Sequence, residues 1–229
     1  MASIEELFAA LPRQSWLGDA PPLIVMSGLP ASGKSFTAHL LAAHLGLTHV
    51  SADQVRMHIT SGKPRYSARE ATRTTQQAAK LTGSLLAHHC GVVVDAISLT
   101  RRARSRYLRQ AKGKTAIIWC EVDENRANEL FALRASSPGP WDFSRADAAE
   151  RARILRVITL EAPKPNEADL VIRLTSRQAD ELLEKLCLDL QVPSCAVHLS
   201  PTPALDNPRQ EATLINGVMT AEQQSSFTE

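Results

Sequence analysis

Eight consecutive residues carry the clearest chemical signal in the chain. Gly28-Leu29-Pro30-Ala31-Ser32-Gly33-Lys34-Ser35 fits the spacing G-x-x-x-x-G-K-[ST]. On average residue usage, a chance match in a chain of this length is on the order of 0.01. The glycines let the backbone bend so that successive N–H groups point at one phosphate. A helix starting there adds its positive end to the same spot. Lys34 can reach the β- and γ-phosphates of a nucleoside triphosphate, and the Ser35 hydroxyl can ligate Mg²⁺. All eight residues are therefore candidate contacts for ATP. The alternative is an ordinary glycine-containing turn with a surface lysine.

Two aspartates and an arginine are the next candidates. Asp53 ends an apolar run in Val50-Ser51-Ala52-Asp53-Gln54-Val55-Arg56. In an open parallel sheet, ligands bind at the carboxyl ends of the strands, so Asp53 should lie near the loop. There it could accept the proton of an attacking hydroxyl, or hold that hydroxyl in line. Arg56 follows one helical turn later and projects to the same side, which suits a hydroxyl next to an anionic group. Helix capping is the alternative for Asp53, and a solvated surface role for Arg56. Asp95 closes Val92-Val93-Val94-Asp95, three apolar residues and a carboxylate at a strand end. That is the Walker B pattern, which holds a Mg²⁺ water or orients the acceptor.

These residues need a frame that brings them together. Short apolar runs at Leu23–Ser27, Thr48–Ala52, Val92–Val94, Thr115–Cys120 and Leu170–Leu174 read as buried strands. Helical patterns lie between them at 34–44, 70–89, 101–111, 124–135 and 145–157, with a last one at 177–190. Such alternation predicts an α/β fold whose parallel sheet is covered on both faces. The breaker Ser136-Ser137-Pro138-Gly139-Pro140 predicts a mobile connection. Residues 1–22 read as an amphipathic N-terminal helical segment, with Ile4, Leu7, Phe8 and Leu11 at helical intervals. Residues 23–190 form the main domain. Residues 191–229 hold four prolines and little periodicity and are expected to be a disordered tail, free to bind a protein partner.

Composition narrows the function classes. The chain has 229 residues, 26 Lys+Arg and 24 Asp+Glu, a formal net charge of +2. Residues 191–229 carry one arginine and four acids, a net of −3, which leaves +5 on the rest. A basic body with an acidic tail suits a negatively charged ligand better than a membrane surface. Aromatic residues are 4% of the chain, too few for a base-stacking surface. The best apolar stretch, 81–99, contains His88, His89 and Asp95, so no segment should span a bilayer. Glu5 and Glu6 stand where a signal peptide is basic. The four cysteines form no CxxC pair, and a cytoplasmic protein with reduced thiols is expected. Arg102, Arg106 and Arg109 fall within about 60° on a helical wheel. They permit a nucleic-acid contact, although a solvated helix face is the plainer reading. Arg104 points to the buried side and should form an internal salt bridge.

The loop alone does not separate kinases, GTPases and motors. No N-K-x-D guanine reader is present, and a motor domain would need more chain. The segments GLPASGKS, SADQVR and VVVDAISLTRRAR together resemble the P-loop kinase group of polynucleotide-kinase-type and zeta-toxin-like ATP-binding domains, over about residues 22–176. The resemblance implies a P-loop NTPase three-layer sandwich with a five-stranded parallel sheet and a helical lid. It also implies ATP- and Mg²⁺-dependent phosphorylation of a hydroxyl on a small-molecule, nucleotide-sugar or nucleic-acid-end acceptor. It places the base on Asp53, an acceptor contact on Arg56, and a typical arginine nine residues after the Walker B-like Asp on Arg104. The lid departs from the pattern: of two arginines one turn apart, the second is Arg134 but the first is replaced by Leu130. Arg126, Arg145 or Arg151 could substitute. Without a lid cation the rival reading is a regulatory module that binds nucleotide and transfers nothing, because charge neutralisation supplies much of the rate of phosphoryl transfer.

Overall fold

A computed structural model describes residues 4–136 and 148–175. Along the chain these form α1 (Ile4–Ala10), β1 (Leu23–Gly28), α2 (Lys34–Leu45), β2 (Thr48–Ser51), α3 (Ala52–Ile59) and α4 (Ala68–Ala87). There follow β3 (Val92–Asp95), α5 (Arg101–Leu108), β4 (Thr115–Glu121), α6 (Glu124–Ser136), α7 (Ala148–Val157) and β5 (Leu170–Thr175). The strands form one parallel sheet in the order β2-β3-β1-β4-β5. All five expected strands are present, each within a residue of its expected end. The helix expected over 177–190 and the tail 191–229 lie outside the described residues, as does most of the Pro-Gly breaker.

Alternation along the central strands builds two cores. Leu23 and Val25 of β1, with Val92 and Val94 of β3, face one side, where they meet Ala78, Leu81 and Leu85 of α4 and Tyr107 of α5. Ile24 and Met26, with Val93 and with Ala116 and Ile118 of β4, face the other side against Ala38, Leu41 and Leu45 of α2. A strand buried on both faces needs apolar residues at every position, which is why these runs do not alternate. Leu7 and Leu11 from the N-terminal segment are buried in the first core. Among the described residues no helix is long and apolar enough to cross a membrane.

Helix α3 was not among the expected patterns. It has eight residues and only two buried positions, Val55 and Ile59, too few to show a period. Ser51 caps it by accepting a hydrogen bond from the Gln54 amide at 3.3 Å. This removes the capping alternative for Asp53, which lies inside the first turn.

One buried charge joins distant parts of the chain. The Arg104 side chain is 0% exposed and that of Glu167 3%. Its Nε donates to Glu167 Oε2 at 2.9 Å and its Nη2 to Oε1 at 3.0 Å. Its Nη1 donates to the carbonyls of Glu161 at 2.7 Å and Ser98 at 3.3 Å. The expected internal salt bridge is thus present, and it ties α5 to the segment between α7 and β5. Burial would raise the Glu167 carboxyl pKa. Hydrogen bonds from Arg104 and the Lys164 amide, with the Arg104 charge, hold it below its ordinary 4.5.

Removing one member of such a pair leaves an uncompensated buried charge. Arg104→Met should lower stability by about 3–5 kcal/mol, read from urea unfolding. The pH dependence carries a sign. With the folded pKa lowered, the Glu167 contribution is present above about pH 4.5 and is lost as pH falls through the folded value. The stability gap between the natural protein and Glu167→Gln should therefore be open at neutral pH and close in acid.

Candidate active site

The loop between β1 and α2 is fixed by two backbone constraints. Gly28 has φ +149°, and a Cβ there would lie 2.5 Å from the Cys120 carbonyl oxygen and 2.8 Å from Ser32 Oγ. Only glycine lets the strand end pass that close to β4. Gly33, at φ +81° and ψ 3°, turns the chain into α2 in the left-handed region. Between them Ala31 sits at φ +59°, a conformation that costs a non-glycine residue about 1–3 kcal/mol and clusters at functional sites. Leu29 and Pro30 complete the turn. The loop base is held from below: Ser27 Oγ donates to the Ser98 carbonyl at 2.6 Å, and the Gly28 amide to that of Ile97 at 3.3 Å.

Lys34 is the first residue of α2 and is buried. Its ammonium donates to the Leu29 carbonyl at 2.7 Å and lies 3.4 Å from Ser32 Oγ, so it curls over its own loop. Asp95 ends β3, is buried, and pairs in register with Ser51 at the end of β2. Burial would push its carboxyl pKa up. A neighbouring His49, the Lys34 charge and a hydrogen bond from the Ser35 hydroxyl outweigh that, so it lies below the ordinary value. His49 Nε2 stands 3.8 Å from Asp95 Oδ2, beyond hydrogen-bond distance. The two candidate Mg²⁺ ligands, Ser35 and Asp95, are thus in contact, with the lysine beside them. A hydroxyl and an ionised carboxylate are hard oxygen donors of the kind Mg²⁺ takes alongside phosphate oxygens. The residues fit that ion. Cys120, behind the loop, is inert: burial pushes its thiol pKa up to about 12.

Asp53 and Arg56 lie on α3, which leaves the sheet beside Asp95. Arg56 Nη1 donates to Asp53 Oδ1. Its Nε stands 3.4 Å from Glu70 Oε1, and its guanidinium lies 5.0 Å from the centre of the Tyr66 ring. Glu70 also accepts from the amides of Arg65 at 2.8 Å and Tyr66 at 3.2 Å. Arg56 is therefore gripped between two carboxylates under an aromatic ring. Sequence reasoning missed Glu70, Tyr66 and His49. A signal existed for Glu70: Ser67-x-x-Glu70 is a capping pattern, and Ser67 does cap α4 through the Glu70 amide.

On the lid side, Arg134 lies in α6. Arg126 is paired with Glu129 at 3.0 Å on its own helix. Trp141 and Arg145 fall outside the described residues.

Comparison with known proteins bears on the family and the fold. A family model described as an AAA domain (AAA_33) matches residues 23–163. The chain belongs to that family. Among solved structures, a sugar kinase from Janibacter sp. HTCC2649 superposes with a TM-score of 0.59 at 18% identity, covering 79% of this chain and 100% of that one. Kti12 from Chaetomium thermophilum, in complex with ADP-AlF3, gives 0.57 at 18% identity, covering 74% and 99%. The Mycobacterium tuberculosis APS kinase in complex with AMPPNP and APS gives 0.52 at 20% identity, covering 76% and 99%. At these identities the likeness is one of fold, that of P-loop kinases. No curated protein matches significantly.

The loop geometry separates its two glycines. Gly28→Ala must displace backbone and should cost about 1–3 kcal/mol of stability as well as weakening nucleotide binding at least tenfold. Gly33→Ala meets nothing within 4 Å and bears only the left-handed backbone cost of about 1 kcal/mol. Calorimetric titration with an ATP analogue, beside thermal unfolding, reads both.

Proposed function

We propose that the chain is an ATP-dependent kinase of the polynucleotide-kinase and zeta-toxin-like type, acting on a hydroxyl of a small-molecule, nucleotide-sugar or nucleic-acid-end acceptor. The observation that carries this reading is the meeting of the Lys34 ammonium, the Ser35 hydroxyl and the Asp95 carboxylate beneath one glycine loop. A second carboxylate, Asp53, stands free of the helix-capping role one strand away. The kinase fold of the sugar kinase and APS kinase neighbours supports it.

In this reading the loop amides and Lys34 bind and orient the triphosphate. Ser35 and Asp95 would hold Mg²⁺, which when bound neutralises charge on the β- and γ-oxygens. The acceptor oxygen attacks the γ-phosphorus, the bond to the β–γ bridging oxygen breaks, and ADP leaves. Asp53 accepts the acceptor's proton, and Arg56 holds that acid in place by its hydrogen bond. Arg134 would bring the lid's charge to the transferring group.

The second reading, nucleotide binding without transfer, has its own support. Leu130 stands where the group has a lid arginine, and Arg126 is engaged with Glu129. The two readings part on Asp53. Protein is mixed with radiolabelled ATP and pools of hydroxyl compounds. Lys34→Ala should weaken ATP binding, whereas Asp53→Asn should keep binding and lower transfer by about 10²–10⁴-fold. Full transfer by Asp53→Asn removes it as the base. Binding with no transfer in any pool favours the regulatory reading.

A further inference from the structure

The arginine stripe of α5 has a neighbour that the sequence did not show. Helices α4 and α5 pack side by side on one face of the sheet, so closely that a Cβ on Gly83 of α4 would lie 2.6 Å from Gln110 Oε1, just past α5. Each leads back to the start of a parallel strand, so the two run in the same direction. On α5, Arg104 and Tyr107 are buried, and Arg102, with Arg109 at the helix C-cap, is exposed on the far side with half-buried Arg106 beside them.

The same division holds along α4. Ala78, Leu81 and Leu85 face the sheet. Arg69, Arg73 and Lys80 fall within about 40° of one another on the opposite side, and Arg69 and Lys80 are exposed. Arg73 makes a contact of its own and is counted for position only. From Arg69 to Lys80 the row is about 16 Å long. The two helices carry a single carboxylate, Glu70, and it is turned to Arg56.

Two parallel rows of cations, five arginines and a lysine, form an outer face on one layer of the domain. Guanidinium groups bind phosphate in bidentate fashion, and rows this long match successive phosphates of one backbone. Neither helix turns an aromatic ring outward: α4 has none, and Tyr107 is buried. Stacking on unpaired bases is therefore not on offer, whereas backbone contact with a duplex is.

We propose that the outer face of α4 and α5 binds the phosphate backbone of a duplex nucleic acid. This surface is distinct from the nucleotide loop and does not depend on phosphoryl transfer.

The test uses the full chain and fluorescein-labelled 20-base-pair duplexes, one RNA and one DNA, followed by anisotropy from 50 to 300 mM salt. Four to six phosphate contacts predict a slope of log K against log salt of about −3.6 to −5.4. The variant carrying Arg69→Glu, Lys80→Glu, Arg102→Glu and Arg109→Glu should bind at least about tenfold more weakly at 150 mM salt, with ATP-analogue binding unchanged. A control with the same charge change elsewhere, Lys63→Glu, Arg156→Glu, Lys164→Glu and Arg173→Glu, should stay within about threefold of the natural protein. Should the first variant fail to fold, the single changes Lys80→Glu and Arg109→Glu should each show a measurable loss. Tighter binding of RNA or of DNA identifies the source of the backbone. Absence of binding at 50 mM salt overturns the proposal, as does equal loss in the control, which would reduce the effect to net charge. Preferential binding to phosphatidylserine vesicles with the same variant dependence overturns it in favour of a membrane surface.

Discussion

A guanidinium sealed from water cannot stay unpaired, and Arg104 is sealed completely. It makes four hydrogen bonds, to the Glu167 carboxylate and to the carbonyls of Ser98 and Glu161, which join the stretch after β3 to the segment between α7 and β5. Losing the Glu167 carboxylate would leave an unpaired charge in a low-dielectric interior, so the segments are held at one mutual geometry. The Ser98 carbonyl that Arg104 grips also accepts from Ser27, the residue before Gly28. The Glu161 carboxylate accepts from the Arg101 amide at the start of α5, and the Glu161 amide donates to the Leu99 carbonyl. One buried charge thus connects the base of the phosphate loop, the exit of β3 and the chain beyond α7. A phosphate-binding loop acts by preorganisation, because amides already aimed need no reorganisation when the anion arrives. The salt bridge stiffens the platform from which those amides are aimed.

The same economy of constraint governs the cations in the site. Lys34 is buried before any ligand binds, and its ammonium leans on the Leu29 carbonyl. Its desolvation is a cost of folding rather than of binding. A triphosphate then meets a lysine that is already desolvated beside the loop. Arg56 is likewise held in place, between Asp53 and Glu70. The sequence reading of Arg56 as a partner for an anionic acceptor meets a physical objection here: two carboxylates already balance its charge. An acceptor that approaches as a neutral hydroxyl suffers no penalty from that arrangement, whereas an anionic one must compete with both carboxylates for the guanidinium.

Much of this was legible because some sequence features are themselves mechanisms. The spacing from Gly28 to Ser35 is a statement about backbone torsions, and the torsions at Gly28 and Gly33 are the ones that spacing requires. The apolar runs named the strands because the central strands β1 and β3 are buried along their whole length and have no polar face to interrupt them. Arg104 fell on the buried side of its helix by periodicity alone. Its partner Glu167 was not legible, since 63 residues separate them and no local rule spans that distance. Helix α3 escaped because two apolar positions do not make a period. His49 escaped because one imidazole in a strand looks the same in sequence whether or not β3 sets a carboxylate beside it.

What the sequence could least foresee is the relation between surfaces of separate elements. Arg102, Arg106 and Arg109, on α5 and its C-cap, read alone as a solvated helix face, and on a lone helix that reading has the better case. The sheet order changes it. Because α4 leads into β3 and α5 into β4, two strands of one parallel sheet with only β1 between them, the two helices point the same way, and both pack on the same face of the sheet. Their outward residues then share one surface, and the acid that could have neutralised it has been drawn inward to Arg56. Like charges gathered on a rigid layer repel one another, so the arrangement raises the free energy of the unbound protein slightly and lowers it when a polyanion spans both rows. Electrostatic attraction of this kind depends on how the charges are placed on a rigid surface as well as on their number. The fold supplies the shared layer here, through the same kind of parallel crossover that brings Asp95 and Ser35 together at the carboxyl end of the sheet.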